Sequence, residues 1–283
     1  MIDTKKYDSS FVPTWCPGCG GFGAYAALKN AFAKLNFDLN DVCLTYDIGC
    51  SSNMANFNKF YGISGLHGRC LPLAAGVSMA HHKIPVVAIA GDGGAFAEGL
   101  NHLIASCRAN YNLTYIVLNN QLYSLTTGQT SPTTFKGELT KSTPFGAIEE
   151  PFNPLNAAIS NHASFVARGF AGNINSLTDI IVKGIQHQGF SYIDVLMPCI
   201  TWHNKTQPYS WYQERVYQLE KEGYPKQEAL RLTLEDPEKL PLGIFYQDNR
   251  PPYQASLPQL KNEPLIKQRI DKVNISESLK EFI

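Results

Sequence analysis

Five short runs, "VCLTY", "IPVVAIAG", "LTYIVLN", "SFVARGF" and "SYIDVLM", are apolar at successive positions and rich in Val, Ile and aromatic residues. Strands that read this way are buried on both faces, the habit of a parallel sheet. Between them lie "GFGAYAALKNAFAKL", "CLPLAAGVSMAHH", "FAEGLNHLIASCRAN" and "SLTDIIVKGIQHQ", whose apolar positions recur at helical spacing. Alternation of the two patterns predicts an α/β fold, a parallel sheet with helices on both faces. Ligands of such sheets bind outside the carboxyl ends of the strands. "DIGCSS", "GDGG", "LNNQLYS" and "MPC" all fall at those ends. From about His203 the texture turns polar and rich in Tyr and Pro, without strand-like runs. The expected organisation is an α/β domain over 1–203 followed by an arm over 204–283.

Composition narrows the function classes. A chain of 283 residues has room for one large domain, or a domain with an appendage. Its 24 basic residues balance 24 acidic ones with no charge run, which speaks against nucleic acid as a partner. "MIDTKKYDSS" lacks the apolar run of a signal peptide, and the longest apolar runs are strand-length, far too short for a bilayer. A soluble, cytoplasmic protein with no membrane partner is expected. Of seven cysteines, Cys43 and Cys107 sit inside a strand-like and a helix-like pattern, where free cysteine packs as a small hydrophobe; Cys70 stays ambiguous. Cys50 and Cys199 differ, because each follows a strand-like run beside Gly or Pro, where a loop presents the sulfur. Cys16 and Cys19 form a Cys-x-x-Cys pair in "PTWCPGCGG", which alone fits disulfide exchange, zinc or iron–sulfur ligation.

Gly91-Asp92-Gly93 follows a buried strand and opens a helix, and Asn119-Asn120 ends the next strand. Glycines allow close approach of backbone to a ligand, and the helix N-terminus behind them attracts a diphosphate. Asp92 and Asn120 can then supply oxygens to a Mg²⁺ that also holds the phosphates. A lone Gly-Asp-Gly is a common turn; the same turn followed one helix and one strand later by Asn-Asn is a far more specific signal than an N-cap aspartate and a turn asparagine.

This pattern resembles the thiamine-diphosphate enzymes. Together with "WCPGCG", "DIGCSS", "LHGR", "LNNQLYSLTTGQTSPTT", "NPLNAA", "FVARGF" and "MPC" it resembles, over roughly the first 200 residues, the β subunit of the two-subunit 2-oxoacid:ferredoxin oxidoreductases. The resemblance implies the thiamine-diphosphate-binding fold, with Ile48, Gly49, His67, Gly91, Asp92, Gly93, Asn120, Leu122 and Tyr123 around the cofactor. It implies Mg²⁺ on Asp92, Asn120 and the Leu122 carbonyl, and a [4Fe–4S] cluster on Cys16, Cys19, Cys50 and Cys199. The implied activity is oxidative decarboxylation of a 2-oxoacid to acyl-coenzyme A, 2-oxoglutarate favoured, with electrons passed to ferredoxin. Thiamine diphosphate leaves a strongly reducing fragment after loss of CO₂, and a thiolate-held cluster takes electrons singly at low potential, so the chemistry has an outlet.

His67, Thr126 and Thr127 are the candidate catalytic contacts, with Gln129 beside them; Arg69 could meet a phosphate or a carboxylate. The remaining histidines, His81, His82, His102, His162, His187 and His203, read as structural or exposed. Two departures touch the substrate: many relatives have Asp where this chain has Gly94, and some broad-substrate members have Lys where it has Thr127. Competing readings are a pyruvate or broad-specificity enzyme, a non-redox thiamine-diphosphate decarboxylase with structural zinc, and a silent interaction subunit. The chain carries one Gly-Asp-Gly/Asn-Asn set. A larger α subunit is therefore expected to supply the activating glutamate and part of the 2-oxoacid and coenzyme A sites, with Trp211, Tyr212 and Tyr217 of the arm against it.

Overall fold

A computed structural model describes residues 4–282 apart from 235, 237, 270 and 272. The first three residues of the N-terminal segment and the last residue of the expected arm lie outside the described residues. Among the described residues ten strands form: β1 Cys43–Tyr46, β2 Tyr61–Ser64, β3 Val86–Gly91, β4 Leu113–Asn119, β5 Leu122–Tyr123, β6 Gln129–Thr130, β7 Phe165–Phe170, β8 Phe190–Leu196, β9 Val216–Gln218 and β10 Leu240–Gln247. The α-helices are α1 Gly20–Lys34, α2 Met54–Phe57, α3 Cys70–Ala80, α4 Leu100–Ala109, α5 Pro154–Ser160, α6 Ile174–Gln186, α7 Tyr209–Arg215, α8 Lys226–Leu232 and α9 Ser276–Lys280. A single turn of π-helix, Gly94–Glu98, joins β3 to α4.

Eight strands make one sheet in the order β2-β1-β3-β4-β8-β7-β10-β9. The six from β2 to β7 are parallel, and all of them except β2 have the continuous apolar sequence that two covered faces require. Alternate side chains serve opposite layers. Val87 and Ile89 of β3 join Ile116 and Leu118 of β4 under α1 and α6. Val86, Ala88 and Ala90 join Tyr115 and Val117 under α3, α4 and α5. Arg168 of β7 and Asp194 of β8, both buried, pair at 2.8 Å inside the sheet.

The arm departs from expectation. Leu240–Gln247 is a strand that pairs antiparallel with β7, and β9 adds parallel to it, so part of 204–283 completes the sheet. Pro241 and Gly243 disguised it, since both residues speak against a strand interior. Pro241 is tolerated beside the edge strand, and Gly243 has φ +131° ahead of a bulge at Ile244–Tyr246. Tyr212 is likewise not free for a partner: it is 2% exposed and stacks on Phe170 with ring centroids 5.6 Å apart. Trp211 is half-buried against Tyr212 and Phe135, and Tyr217 is exposed. The extended arm proper follows β10 and lies on this chain's own helices. There Gln254 donates to Ser78 Oγ at 2.6 Å, and Arg250 donates to the carbonyls of Cys107 and His162.

One glycine fixes how α1 meets the sheet. A Cβ on Gly23 would stand 2.0 Å from the Ala171 carbonyl oxygen, a backbone atom that cannot swing away. Gly23→Ala is therefore expected to lower stability by ~1–3 kcal/mol through overpacking. Urea unfolding checks it, and an unchanged midpoint would show that α1 is free to shift.

Candidate active site

Four neighbouring strands, in the order β1-β3-β4-β8, end on the same edge and carry the chemistry. Beyond β1 come Ile48, Gly49 and Cys50; β3 ends in Gly91, with Asp92 next; beyond β4 comes Asn120; beyond β8 comes Cys199. Two cavities open there. The first, about 500 Å³, is lined by Ile48, Gly49, Cys50, Ser51, His67, Gly91–Gly94, Asn120, Leu122, Tyr123 and Thr126 among others. The second, about 670 Å³, is lined by Trp15, Cys16, Cys19, Cys50, Met197, Cys199 and Trp202 among others. Cys50, Asn120, Ser124 and Leu125 form the wall between them.

In the first cavity Asp92 is 1% exposed. Its carboxylate accepts the Asn120 N–H at 3.3 Å and the Thr133 hydroxyl at 3.0 Å. Burial pushes its pKa up to about 6 against the pull of hydrogen bonds from Ser131 and Thr133. The Asn120 side-chain oxygen, 3.1 Å from the Leu122 N–H, and the Leu122 carbonyl, 3.4 Å from Ser124 Oγ, supply two further oxygens. Ser51 Oγ is buried with no hydrogen-bond partner on the protein. A Cβ on Gly93 would lie 2.3 Å from the Tyr123 ring, so that glycine is required by packing, whereas Gly91 meets only an ordinary contact at 3.6 Å and leaves its backbone open to a ligand. A diphosphate with a divalent cation fits this set: a buried carboxylate lacking a cation, amide and carbonyl oxygens beside it, and an unpaired hydroxyl.

The second cavity gathers all four expected cysteines. Cys19 caps α1, its sulfur accepting the Gly21 N–H at 3.4 Å, and the Gly20 N–H donates to the Pro198 carbonyl at 3.1 Å, which ties the pair to the Cys199 loop. The Trp15 indole donates to the Cys50 carbonyl at 2.8 Å and ties it to the β1 loop. The Cys50 thiol is pushed up to about 12, first by burial and then by Cys19, Cys199 and Cys16. A buried thiol ionises readily only with a cation beside it. Among the described residues no three His, Cys, Asp or Glu side chains gather tightly enough to hold a single metal ion. Cys43, Cys70 and Cys107 lie in the core, away from both cavities.

His67 lines the first cavity, and its Nδ1 is 3.6 Å from Asp47 Oδ2. Thr126 lines it too, its hydroxyl donating to Gln129 Oε1 at 2.9 Å. Thr127 stands on neither wall; it is exposed, with φ +88°, a strained value for a β-branched residue. Among the described residues Arg69 meets no carboxylate, and it contacts His102. His187 bonds Ser164, and buried His203 faces Glu138 at 2.9 Å, so both are structural. Sequence reasoning passed over Thr133, Ser51 and Asp47. Asp47, an acid directly after a fully buried strand at the sheet's carboxyl edge, was the legible one.

Comparison with known proteins follows this geometry. Residues 47–195 match the thiamine pyrophosphate enzyme C-terminal TPP-binding domain, and 199–262 match the C-terminal family of the pyruvate ferredoxin oxidoreductase β chain. A Saccharolobus solfataricus protein, the 2-oxoacid:ferredoxin oxidoreductase subunit beta, is 39% identical over 249 residues, covering 83% of this chain and 81% of its own. The chain belongs to the β subunits of the 2-oxoacid:ferredoxin oxidoreductases. The 2-oxoglutarate synthase subunit KorB of Archaeoglobus fulgidus is 38% identical, over 71% of this chain and 74% of that protein. A chain of the 2-oxoglutarate:ferredoxin oxidoreductase from Magnetococcus marinus, with 2-oxoglutarate, coenzyme A and succinyl-CoA bound, superposes with TM-score 0.91 at 30% identity, covering 99% of this chain and 96% of that one. The α/β reading and the family resemblance both hold. Among the described residues no helix is long and apolar enough to cross a membrane.

The raised pKa of Asp92 makes a signed prediction about stability. An acid whose folded-state value lies above its unfolded one opposes folding once it ionises, so the cost is full above about pH 6 and absent below about pH 4. Without metal or cofactor, Asp92→Asn should stabilise the chain at neutral pH by at most ~3 kcal/mol, the gain disappearing as pH falls through that window. Thermal melts in chelator across the pH range check it, and a gain that persists at low pH would place its source elsewhere.

Proposed function

We propose that this β subunit holds thiamine diphosphate with Mg²⁺ in the first cavity and one [4Fe–4S] cluster in the second. Its reaction is the coenzyme A-dependent oxidative decarboxylation of a 2-oxoacid, 2-oxoglutarate first, with electrons leaving through the cluster to ferredoxin in the cytoplasm. The observation that carries this reading is the common wall. Cys50 faces both cavities, so a reductant formed in one lies next to the thiols of the other.

Within that reading Asp92, Asn120 and the Leu122 carbonyl hold the magnesium, and Ile48, Gly49, Gly91, Gly93 and Tyr123 shape the bed for the cofactor. When bound, thiamine diphosphate supplies the nucleophilic carbon and the electron sink that decarboxylation needs. His67 and Thr126 present polar atoms on the same cavity wall, where substrate oxygens would be oriented. Cys16, Cys19, Cys50 and Cys199 hold the cluster. A ring of thiols around a volume suits four irons that each take one sulfur; zinc would need all four sulfurs about 2.3 Å from one point. The names of the Archaeoglobus and Magnetococcus proteins favour 2-oxoglutarate.

Among the described residues no carboxylate is placed to act as the activating glutamate. Glu98 is engaged by the Tyr123 hydroxyl at 3.3 Å, and Glu150 pairs with Lys136. A larger α subunit supplies it. Phe145 and Ile148, 98% and 85% exposed in the loop beyond β6, and Tyr217 are apolar surface for that subunit to cover.

Three measurements test the reading. Anaerobically purified chain should contain iron and sulfide. Ser at 16, 19, 50 or 199 should remove them, while Cys43→Ser and Cys107→Ser keep them; zinc without iron would overturn the cluster. Calorimetric titration with thiamine diphosphate and Mg²⁺ should show binding that Asp92→Ala abolishes and Asn120→Ala weakens. Reconstituted chain without its partner should not turn over 2-oxoacid; full turnover would remove the need for an α subunit.

A further inference from the structure

We infer that Asp47 is a positioning residue for His67: its Oδ2 accepts a hydrogen bond from Nδ1–H and so leaves the Nε2 lone pair facing the first cavity. The inference rests on the thiamine-diphosphate reading of that cavity. Four observations converge on it.

Asp47 is 0% exposed, at the carboxyl end of β1. Its Oδ1 is committed, accepting the Gly68 N–H at 2.6 Å. Its Oδ2 is buried without a hydrogen-bond partner, and so is His67 Nδ1; these two atoms face each other at 3.6 Å. A buried acceptor beside a buried ring nitrogen, each lacking a partner, is a bond that a small rotation of the imidazole completes.

The other nearby carboxylate is a poor competitor. Glu98 Oε2 is 4.0 Å from the same nitrogen, but its side chain is 40% exposed and both its oxygens lie near the Tyr123 hydroxyl, at 3.3 and 3.4 Å. Asp47 is the fixed, desolvated partner. The Tyr123 ring, edge-on at 5.9 Å, limits how the imidazole can turn.

Gly94 is what admits this carboxylate. A Cβ there would lie 1.8 Å from Asp47 Oδ2 and 2.7 Å from His67 Nδ1. The acid at 47 and the glycine at 94 are thus one steric unit, and the departure at 94 has a local physical reason. With Nδ1 buried, the His67 side chain 35% exposed and His67 on the cavity wall, Nε2 is the ring nitrogen left available to the cavity. That nitrogen can accept a proton or a hydrogen bond only while the ring's proton stays on Nδ1.

The test is the tautomer, read in the apo chain before any turnover. Long-range ¹H–¹⁵N correlation spectra of histidine-labelled chain at about pH 8 distinguish the neutral tautomers, and His67→Gln assigns the signal. Wild type should show the Nδ1–H form; an Nε2–H form would overturn the inference without any variant. In Asp47→Asn the amide oxygen keeps the Gly68 N–H, which turns the NH₂ toward Nδ1, so the proton should move to Nε2. Glu98→Gln should leave the wild-type tautomer in place. In the reconstituted heteromer Asp47→Asn should lower kcat on the order of 10²-fold while the calorimetric Kd for thiamine diphosphate changes less than ~2-fold. An unmoved tautomer in Asp47→Asn, or a moved one with unchanged kcat, would falsify the assignment. Wild-type chain that shows the Nδ1–H form yet binds no thiamine diphosphate would instead sink the proposed function.

Discussion

The Asp92 carboxylate is buried at the end of β3 with no cation from its own chain, and the site is organised around that cost. A carboxylate removed from water is expensive unless charge or hydrogen bonds replace the lost solvation. Here the Asn120 N–H and the hydroxyls of Thr133 and Ser131 do so only in part, and the pKa rises accordingly. The second of these bonds is itself supported. Thr133 Oγ1 also lies 2.9 Å from Asn119 Oδ1, Asn119 donates to Asp194, and Asp194 pairs with Arg168. The sheet interior thus aims the carboxylate and leaves its charge unneutralised. An arrangement that is half-satisfied within the chain is complete only with something positive beside it.

The thiol cavity follows the same logic with a different scaffold. Three loops must hold their sulfurs about one volume. Trp15 bolts the N-terminal loop to the β1 loop through the Cys50 carbonyl, and Gly20 bolts it to the β8 loop through the Pro198 carbonyl. Gly20 and Gly21 make this possible, since a Cβ on either would run into Pro198 and Met197 or into the Trp15 ring at about 2.9 Å. The tryptophan beside the Cys pair, which suggests a disulfide exchanger at first sight, is a packing strut.

Much of this was legible in the sequence because the informative residues sit where parallel strands end. Continuous apolar runs marked every strand in the central parallel stretch of the sheet, β2 excepted, and the motifs that follow four of them coincide with the residues that line the two cavities. What stayed hidden was hidden for physical reasons. β2 is exposed along its whole length, so no apolar run announces it. β10 carries Pro and Gly within the strand and reads as a turn. Tyr212 has the spacing of an interface aromatic, and only the tertiary contact with Phe170 shows it facing inward. Thr127 shares a motif with Thr126, yet the positive φ at 127 takes it off the wall that its neighbour lines.

One loop, Asp47 to Ser51, serves both cavities, and this limits how independently they can vary. Asp47 faces His67, Ile48 and Gly49 line the first cavity, Cys50 stands in both walls, and Ser51 Oγ waits unpaired beside Gly91. Gly49 adopts φ +101°, a conformation that other residues reach only under strain, and it is what lets the loop reverse between the two walls. A displacement of β1 along the sheet would therefore move the histidine's partner and a thiol together. The parallel pairing of β1 with β2 and β3 on either side holds it in register. Coupling between the two cavities is thus built into the backbone of a single turn, and no long-range conformational change is needed to keep the two cavities aligned.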